Sequence, residues 1–249
     1  MYKKHPVFEE PSDENSTIWR YLDFTKFVSL LDKKSLWFSK SDKLGDPFEG
    51  SFPEVNINLR PSLYKKIPEE IIKKVLPDFY KNVREHTFLN CWHENDCESI
   101  AMWNMYLKSN EGIAIRSTYK RLKECLNKTT EDIFIGKVKY IDYKKEWMPE
   151  GNSLYPFVHK RKSYEYEKEI RAVIQHFSID KKTNTVKLAL EKVSDGMSVP
   201  IEIETLIESV YVSPESPEWF SKLVESVVKE YGFAQIEVIQ SSLKDDPVF

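Results

Sequence analysis

Ser163-Tyr164-Glu165-Tyr166-Glu167-Lys168-Glu169-Ile170-Arg171-Ala172-Val173-Ile174 is the stretch on which the reading of this chain turns. Three glutamates and an arginine occupy alternate positions, Glu165, Glu167, Glu169 and Arg171, directly before an apolar run. In an extended segment side chains two apart share a face, so these four project together while Tyr166, Ile170, Ala172 and Ile174 face the other way. Carboxylates crowded on one face repel. That is tolerated where a cation, a substrate or a shared proton absorbs the repulsion, which makes Glu167 and Glu169 candidates for acid/base or oxocarbenium chemistry. The alternative is an exposed helical turn in which Glu167 and Arg171 form an i,i+4 ion pair.

Outward from that strand, the pattern predicts further strands at 18–22, 35–39, 87–93, 112–115, 133–143, 185–190, 199–203, 209–212 and 234–241. Helices are expected from Thr25, from Asn95 or Asp96, from Thr118, and over 218–231, where Gly232 supplies the stop. Short strands interrupted by helices without regular βαβ alternation predict an α+β fold, a single mixed, mostly antiparallel sheet core with helices. Residues 1–15 read as a loosely ordered N-terminal arm and 16–249 as one domain. Within it 61–86, with Pro68 and Pro77 as start signals, reads as a lysine-rich helical insertion. Residues 155–162 read as a helix or lid leading into the Glu/Arg segment.

Composition narrows the function classes. The formal net charge is −3, so the chain lacks the global basic footprint of a nucleic-acid binder. No apolar run reaches membrane-spanning length and the N-terminus has no apolar signal core, so the expectation is a cytoplasmic protein without a membrane partner. Three cysteines and five scattered histidines form neither C-x-x-C nor H-E-x-x-H, so no metal site is expected. Only seven glycines are present, and neither G-x-G-x-x-G nor a Walker pattern occurs. A nucleotide would have to be held by side chains and ordinary loop backbone.

Gly45-Asp46-Pro47-Phe48-Glu49-Gly50 has the composition of a helix start, with Asp46 as N-cap and Glu49 at N3. Gly50 and Pro53 leave barely a turn of helix after it. It therefore reads as a turn that fixes two carboxylates, with a structural or a substrate-facing role. Met102, Trp103 and Tyr106 form one broad apolar helix face, read as core for Met102 and Trp103. Cys91 reads as a small core residue and His93 as a hydrogen-bonded structural histidine or a general base. Arg171 is expected to hold Glu167 or Asp46.

Several blocks resemble an uncharacterised bacterial domain-of-unknown-function family. They are Gly45-Asp46-Pro47-Phe48-Glu49, Cys91-Trp92-His93 with Glu98-Ser99 and Met102-Trp103, 110–115, and Lys160-Arg161-Lys162-Ser163-Tyr164 leading to Glu167-Lys168-Glu169-Ile170-Arg171. Members of that family sit in mobile or phage-defence gene neighbourhoods, which implies a toxin or defence effector. More remotely, Arg20 on a first strand, Ser39-Lys40-Ser41 ending a second and Glu167-Lys168-Glu169 before a later one resemble the ordered motifs of ADP-ribosyltransferases. The resemblance implies NAD as a substrate, with no tightly bound cofactor. Arg20 would contact the NAD phosphates, Ser39 and Ser41 would support the nicotinamide pocket, and Tyr21 and Trp37 would supply aromatic walls. Glu169 would stabilise the ribosyl oxocarbenium ion and Glu167 would orient the acceptor.

Three readings follow. An NAD-directed enzyme, transferring ADP-ribose to a macromolecular acceptor (a protein or a nucleic acid) or hydrolysing NAD, requires Arg20, Ser39 and Glu169 at one cleft. A metal-dependent hydrolase or nuclease requires at least three of its carboxylates within shared coordination reach. A non-enzymatic binding module requires Arg20 and Glu169 in separate structural ion pairs and no deep pocket.

Overall fold

The computed structural model describes residues 1–249 apart from 108, 177, 181–184, 188–193, 246 and 248–249. In chain order the elements are β1 (Thr17–Asp23), α1 (Phe24–Lys33), β2 (Ser35–Lys40), α2 (Glu54–Leu63), α3 (Leu76–Glu85), β3 (Thr87–Glu94) and α4 (Ile100–Tyr106). There follow β4 (Gly112–Thr118), α5 (Tyr119–Cys125), β5 (Phe134–Lys137), β6 (Lys139–Ile141), β7 (His159–Arg161), β8 (Glu169–Gln175), β9 (Ser178–Asp180) and β10 (Thr185–Lys187). The chain ends with β11 (Gly196–Pro200), α6 (Ile203–Leu206), β12 (Ser209–Val212), α7 (Glu218–Glu230) and β13 (Glu237–Gln240).

Nine strands make one sheet, and the sheet forks. One edge of β3 pairs with β8 along its length, from Thr87↔Gln175 to His93↔Glu169, and β5 adds beyond β8. The other edge is shared. Near its start β3 pairs with β2 through Ser39↔Leu89 and Lys40↔Phe88, and at its end with β1 through Ile18↔Glu94 and Trp19↔His93. β11 extends the β2 branch, and β4, β12 and β13 extend the β1 branch. Only the β12–β13 pairing in this sheet is parallel, so the α+β class with a mostly antiparallel mixed sheet holds.

Strand alternation decides what each face carries. Ile18, Trp92, Ile113, Ile115, Ile170 and Ile174 face one way, into a core closed by Phe27 and Leu31 of α1, Leu122 of α5 and Phe220, Val224 and Val228 of α7. Trp19, Tyr21 and Ala114 face the other way and pack with Met102 and Trp103 of α4. On this second face Leu89 and Val173 pack with Val83, Phe157 and Val158.

Several boundaries differ from the sequence expectation. Residues 162–167 form a 3₁₀ helix, Lys168 takes a left-handed conformation (φ 39°), and the strand begins only at Glu169. The four alternating charges therefore do not share one face, and Glu165 is exposed. The helical stretch before β3 starts at Glu54 rather than Pro61, because a buried cluster anchors it early. Arg60 and Asn56 bond Glu150 at 3.1 and 2.9 Å, and Tyr64 donates to the same carboxylate. The helix expected from Asn95 or Asp96 starts at Ile100, with Ser99 as its cap. Residues 155–162 are a 3₁₀ turn and β7, not a helix or lid helix. The N-terminal arm is tied down rather than loose: Tyr2 bridges Ile133 and Glu9 bridges Lys137 beside β5. Of the strand expected at 185–190, Thr185–Lys187 is present and the rest lies outside the described residues. Among the described residues no helix is long and apolar enough to cross a membrane.

Candidate functional site

The fork creates the site. Asn90, Cys91 and Trp92 lie on β3 between the two short ladders, where β1 and β2 diverge and α1 connects them. A cleft of about 830 Å³ opens there, lined by residues of β1, α1, β2, β3, α4, β7 and β8. Residues of both sheet faces reach it, because it passes through the split. Its volume lies at the upper end of the range of small-molecule sites.

Diverging strands leave backbone groups without ladder partners, and those groups must be satisfied otherwise. The Trp37 carbonyl accepts from Asn90 Nδ2 at 2.9 Å and, weakly, from Arg20 Nη2 at 3.4 Å. Asn90 Oδ1 in turn accepts from Trp92 Nε1 at 2.7 Å. Arg20 lies over the Trp92 ring at 5.8 Å and has no carboxylate partner among the described residues. Its Nη1 is buried and makes no hydrogen bond. Burial lowers its pKa to about 10, so it stays a cation at neutral pH. An uncompensated guanidinium at a cleft is an anion receptor. Beside it, the Trp37 indole is 47% exposed and lies across Gly196 of β11, where a methyl group would meet its ring at 2.4 Å. The indole is a flat wall available for stacking.

The opposite wall is a buried ion network. Lys160 of β7 donates to Glu169 Oε1 at 2.6 Å and to Glu167 Oε2. Arg171 donates from Nε to Glu169 Oε2 at 2.6 Å and clamps Glu49 with Nη1 and Nη2 at 2.5 and 2.9 Å. Arg161 holds Asp46 at 2.7 Å. Burial opposes ionisation of Glu169, but Arg171 and Lys160 outweigh it and hold its carboxyl well below the usual range. Burial and the adjacent Glu169 instead push Glu167 up to about 8, so it carries a proton at neutral pH. Burial also pushes the Cys91 thiol up, which removes it as a thiolate nucleophile. Environments that drive two neighbouring carboxyls in opposite directions mark an acid/base pair.

The turn that carries Asp46 and Glu49 forms as expected from its residues. Phe48 N–H donates to Asp46 Oδ1 at 2.9 Å, the turn does not run on into a helix, and Gly50 turns away at φ 71° before α2 begins at Glu54. Both carboxylates reach the cleft, bound by arginines. Arg20, Tyr21, Trp37, Ser39, Tyr106, Glu167, Glu169 and Arg171 also line it. Tyr21 is mostly committed elsewhere: its hydroxyl accepts from Ser99 N–H at 2.9 Å and its ring abuts Trp103. Two candidates are not in the cleft. Ser41 is fully buried and donates to the Arg84 carbonyl at 2.6 Å, because a 3₁₀ turn at 41–43 carries it past the strand end. Trp103 packs in the core and donates to Glu98 at 3.0 Å. Arg171 holds Glu49 and Glu169, not Glu167 or Asp46, because Lys160 and Arg161 reach those two first.

Sequence reasoning missed Lys160, the cation that joins the two glutamates; an unpaired lysine in a block leading to two acidic residues was the available signal. Among the described residues no group of three or more His, Cys, Asp or Glu side chains is arranged to hold a metal ion. The carboxylates of this wall are instead bound by Lys160, Arg161 and Arg171. Comparison with protein-family models, curated proteins and solved structures finds no match for the chain.

Proposed function

We propose that the forked-sheet cleft binds a nucleotide and breaks a glycosidic bond in it, with NAD as the substrate and ADP-ribose transfer or hydrolysis as the outcome. The observation that carries this reading is the presence of an uncompensated Arg20 guanidinium and the Glu167–Glu169 pair in one cleft. The chemistry matches those groups. The bond from ribose C1′ to nicotinamide N1 breaks with its electron pair leaving on N1, so neutral nicotinamide departs without needing a proton. Positive charge then develops at C1′, and an ionised carboxylate stabilises it. Glu169 is the ionised member of the pair. Water or a macromolecular hydroxyl adds to C1′, and its proton passes to Glu167 in its ionised form. Arg20 would take the pyrophosphate and Trp37 would stack on a base.

Lys160 and Arg171 do not face the substrate as acids in this scheme. They hold Glu169 charged and orient it. The proposed membership in the G-D-P-F-E family, and a role as toxin or defence effector, rest on the motif blocks quoted above. In this reading the motif residues Asp46, Glu49 and Arg171 build the scaffold under the reacting pair.

Incubation of the protein with NAD, with and without cell extract, tests the proposal through release of free nicotinamide. Release should exceed that of Glu169→Gln and Arg20→Ala by at least about 100-fold, the scale of a lost charge-stabilising group. Release equal to the Glu169→Gln control would remove it. The wild-type rate should climb with pH as Glu167 ionises near its pKa of about 8.

A further inference from the structure

Six buried side-chain nitrogen or oxygen atoms have no hydrogen-bond partner among the described residues. Four of them, on Asp42, Arg60, Arg84 and Ser209, belong to residues away from the cleft. The other two, Arg20 Nη1 and His93 Nε2, belong to residues that line it. Leaving a buried polar atom unpaired destabilises the fold, so two such atoms in one cleft call for a reason.

The chemistry of the two atoms is complementary. Arg20 Nη1 can only donate. His93 is 4% exposed, and its Nδ1 lies 2.7 Å from the carbonyl oxygen of Glu167. A carbonyl only accepts, so Nδ1 carries the proton and donates it. In the neutral ring Nε2 is then a lone-pair acceptor. Burial lowers the His93 pKa, which keeps the ring neutral. The register places His93 directly opposite Glu169 on β8 and opposite Trp19, the neighbour of Arg20, on β1. Hence His93 sits on the strand between the guanidinium strand and the carboxylate strand, its ring on the face of Tyr21 and Glu169, while Arg20 reaches the cleft through the split from the Trp92 face.

We infer that His93 is a ligand-contacting residue whose Nε2 accepts a hydrogen bond from an O–H or N–H of the bound molecule, while Arg20 donates to an anionic oxygen of the same molecule. The ligand class is therefore a phosphorylated compound that also carries a hydroxyl or amide donor. This rests on the nucleotide reading of the cleft, where a ribose hydroxyl or the nicotinamide carboxamide would supply the donor. It assigns to His93 a recognition role, distinct from the proton transfer given to Glu167.

Two substitutions separate this role from a structural one. His93→Asn keeps a side-chain N–H near Nδ1 for the Glu167 carbonyl and deletes the acceptor. His93→Gln restores an acceptor near the Nε2 position. Binding of NAD and of ADP-ribose, followed by tryptophan fluorescence without reference to turnover, should weaken about tenfold in His93→Asn and largely recover in His93→Gln. Thermal unfolding of His93→Asn should stay close to the wild type, whereas His93→Gln, which gives up the donor to the Glu167 carbonyl, should melt lower and yet bind better, so that affinity and stability move in opposite directions. Weakening for both ligands places the donor on ribose; weakening for NAD alone places it on the carboxamide. Wild-type affinity in His93→Asn overturns the inference, as does failure of both ligands to bind the wild-type protein. Normal binding effects without nicotinamide release would leave the His93 assignment standing and remove only the proposed reaction.

Discussion

Arg171 and Glu49 lie 122 residues apart in the chain and meet through two parallel hydrogen bonds, Nη1 to Oε1 and Nη2 to Oε2, in a place where neither side chain is more than 1% exposed. The same guanidinium bonds both oxygens of Glu169 and the Phe157 carbonyl. It thereby ties the turn at Glu49 and the segment before β7 to the strand at the cleft wall. Removing one partner of such a pair leaves a buried charge unmatched and costs about 3–5 kcal/mol. Arg171→Met, which strands Glu49 and leaves Glu169 with Lys160 alone, should therefore lose at least as much stability as Glu49→Gln, which strands part of one cation. Urea unfolding of both variants measures this. A loss below about 1 kcal/mol in Arg171→Met would show that the network contributes nothing to folding.

The pH dependence of stability follows from the two glutamates, which have opposite signs. Glu167 titrates at about 8 in the folded chain against an ordinary value of 4.5. The folded state thus holds an extra proton between those values. Its contribution to stability is fully present below about 4.5 and is lost as pH rises through about 8. Glu169 is displaced downward, so its contribution is present above its ordinary value of 4.5 and is lost in acid. Urea midpoints should fall between about pH 4.5 and about pH 8 in the wild type and level off above that, and Glu167→Gln should flatten that fall. An identical slope in the variant would assign the titration to another group.

Arg20 is predicted to be a residue that the fold tolerates rather than needs. Its guanidinium is partly buried, with Nη1 buried and unpaired; among the described residues it has no counter-ion, and the one hydrogen bond it makes there is long at 3.4 Å. Replacement by methionine keeps a stem against Trp92 and removes the desolvation cost. Arg20→Met should therefore be as stable as the wild type or more stable by about 1 kcal/mol, with binding of ADP-ribose lost at least tenfold. Differential scanning fluorimetry and the fluorescence titration test both halves. A destabilisation beyond about 2 kcal/mol would make this arginine a structural cation.

These same groups divide what could be read in the residues from what could not. Arg20, Ser39 and Glu169 were placed in one cleft by their order along the chain, and Asp46 and Glu49 by a cap motif too short to start a helix. The first rests on the resemblance of that order to ADP-ribosyltransferase motifs, and only the second on local chemistry that a sequence displays. The partners of Arg171 could not be read, because Glu49 and Phe157 reach it only through the pairing of β3 with β8 and the packing of the turn against it. The extended reading of 163–168 failed for a related reason. Lys168 is held in a left-handed conformation by tertiary contacts: its carbonyl accepts from Glu94 N–H, and the neighbouring Glu167 carbonyl accepts from His93. Period-two alternation of charge is no guide where a side chain on another strand fixes the backbone.

The Trp37 wall depends on a single absent methyl group. Gly196 pairs with Ser39 on the neighbouring strand, and the indole of Trp37, two residues from Ser39, lies diagonally across it. A Cβ at position 196 would meet Trp37 Cζ2 at 2.4 Å and Cε2 at 2.5 Å, and also the backbone oxygen of Phe38 at 2.5 Å. The indole can swing away, whereas the Phe38 carbonyl can move only with the β2–β11 ladder. Gly196→Ala should therefore cost about 1–3 kcal/mol, the ordinary cost of overpacking, and should also turn the indole out of the position from which it can stack. The stability loss alone would be uninformative, so the decisive comparison is with Trp37→Leu, which removes the platform without crowding the ladder. If stacking on Trp37 holds the base of the ligand, both variants should weaken ADP-ribose binding by a similar factor, although only Gly196→Ala loses much stability. Binding unchanged in Trp37→Leu would mean that the exposed indole covers the mouth of the cleft without contacting what enters it.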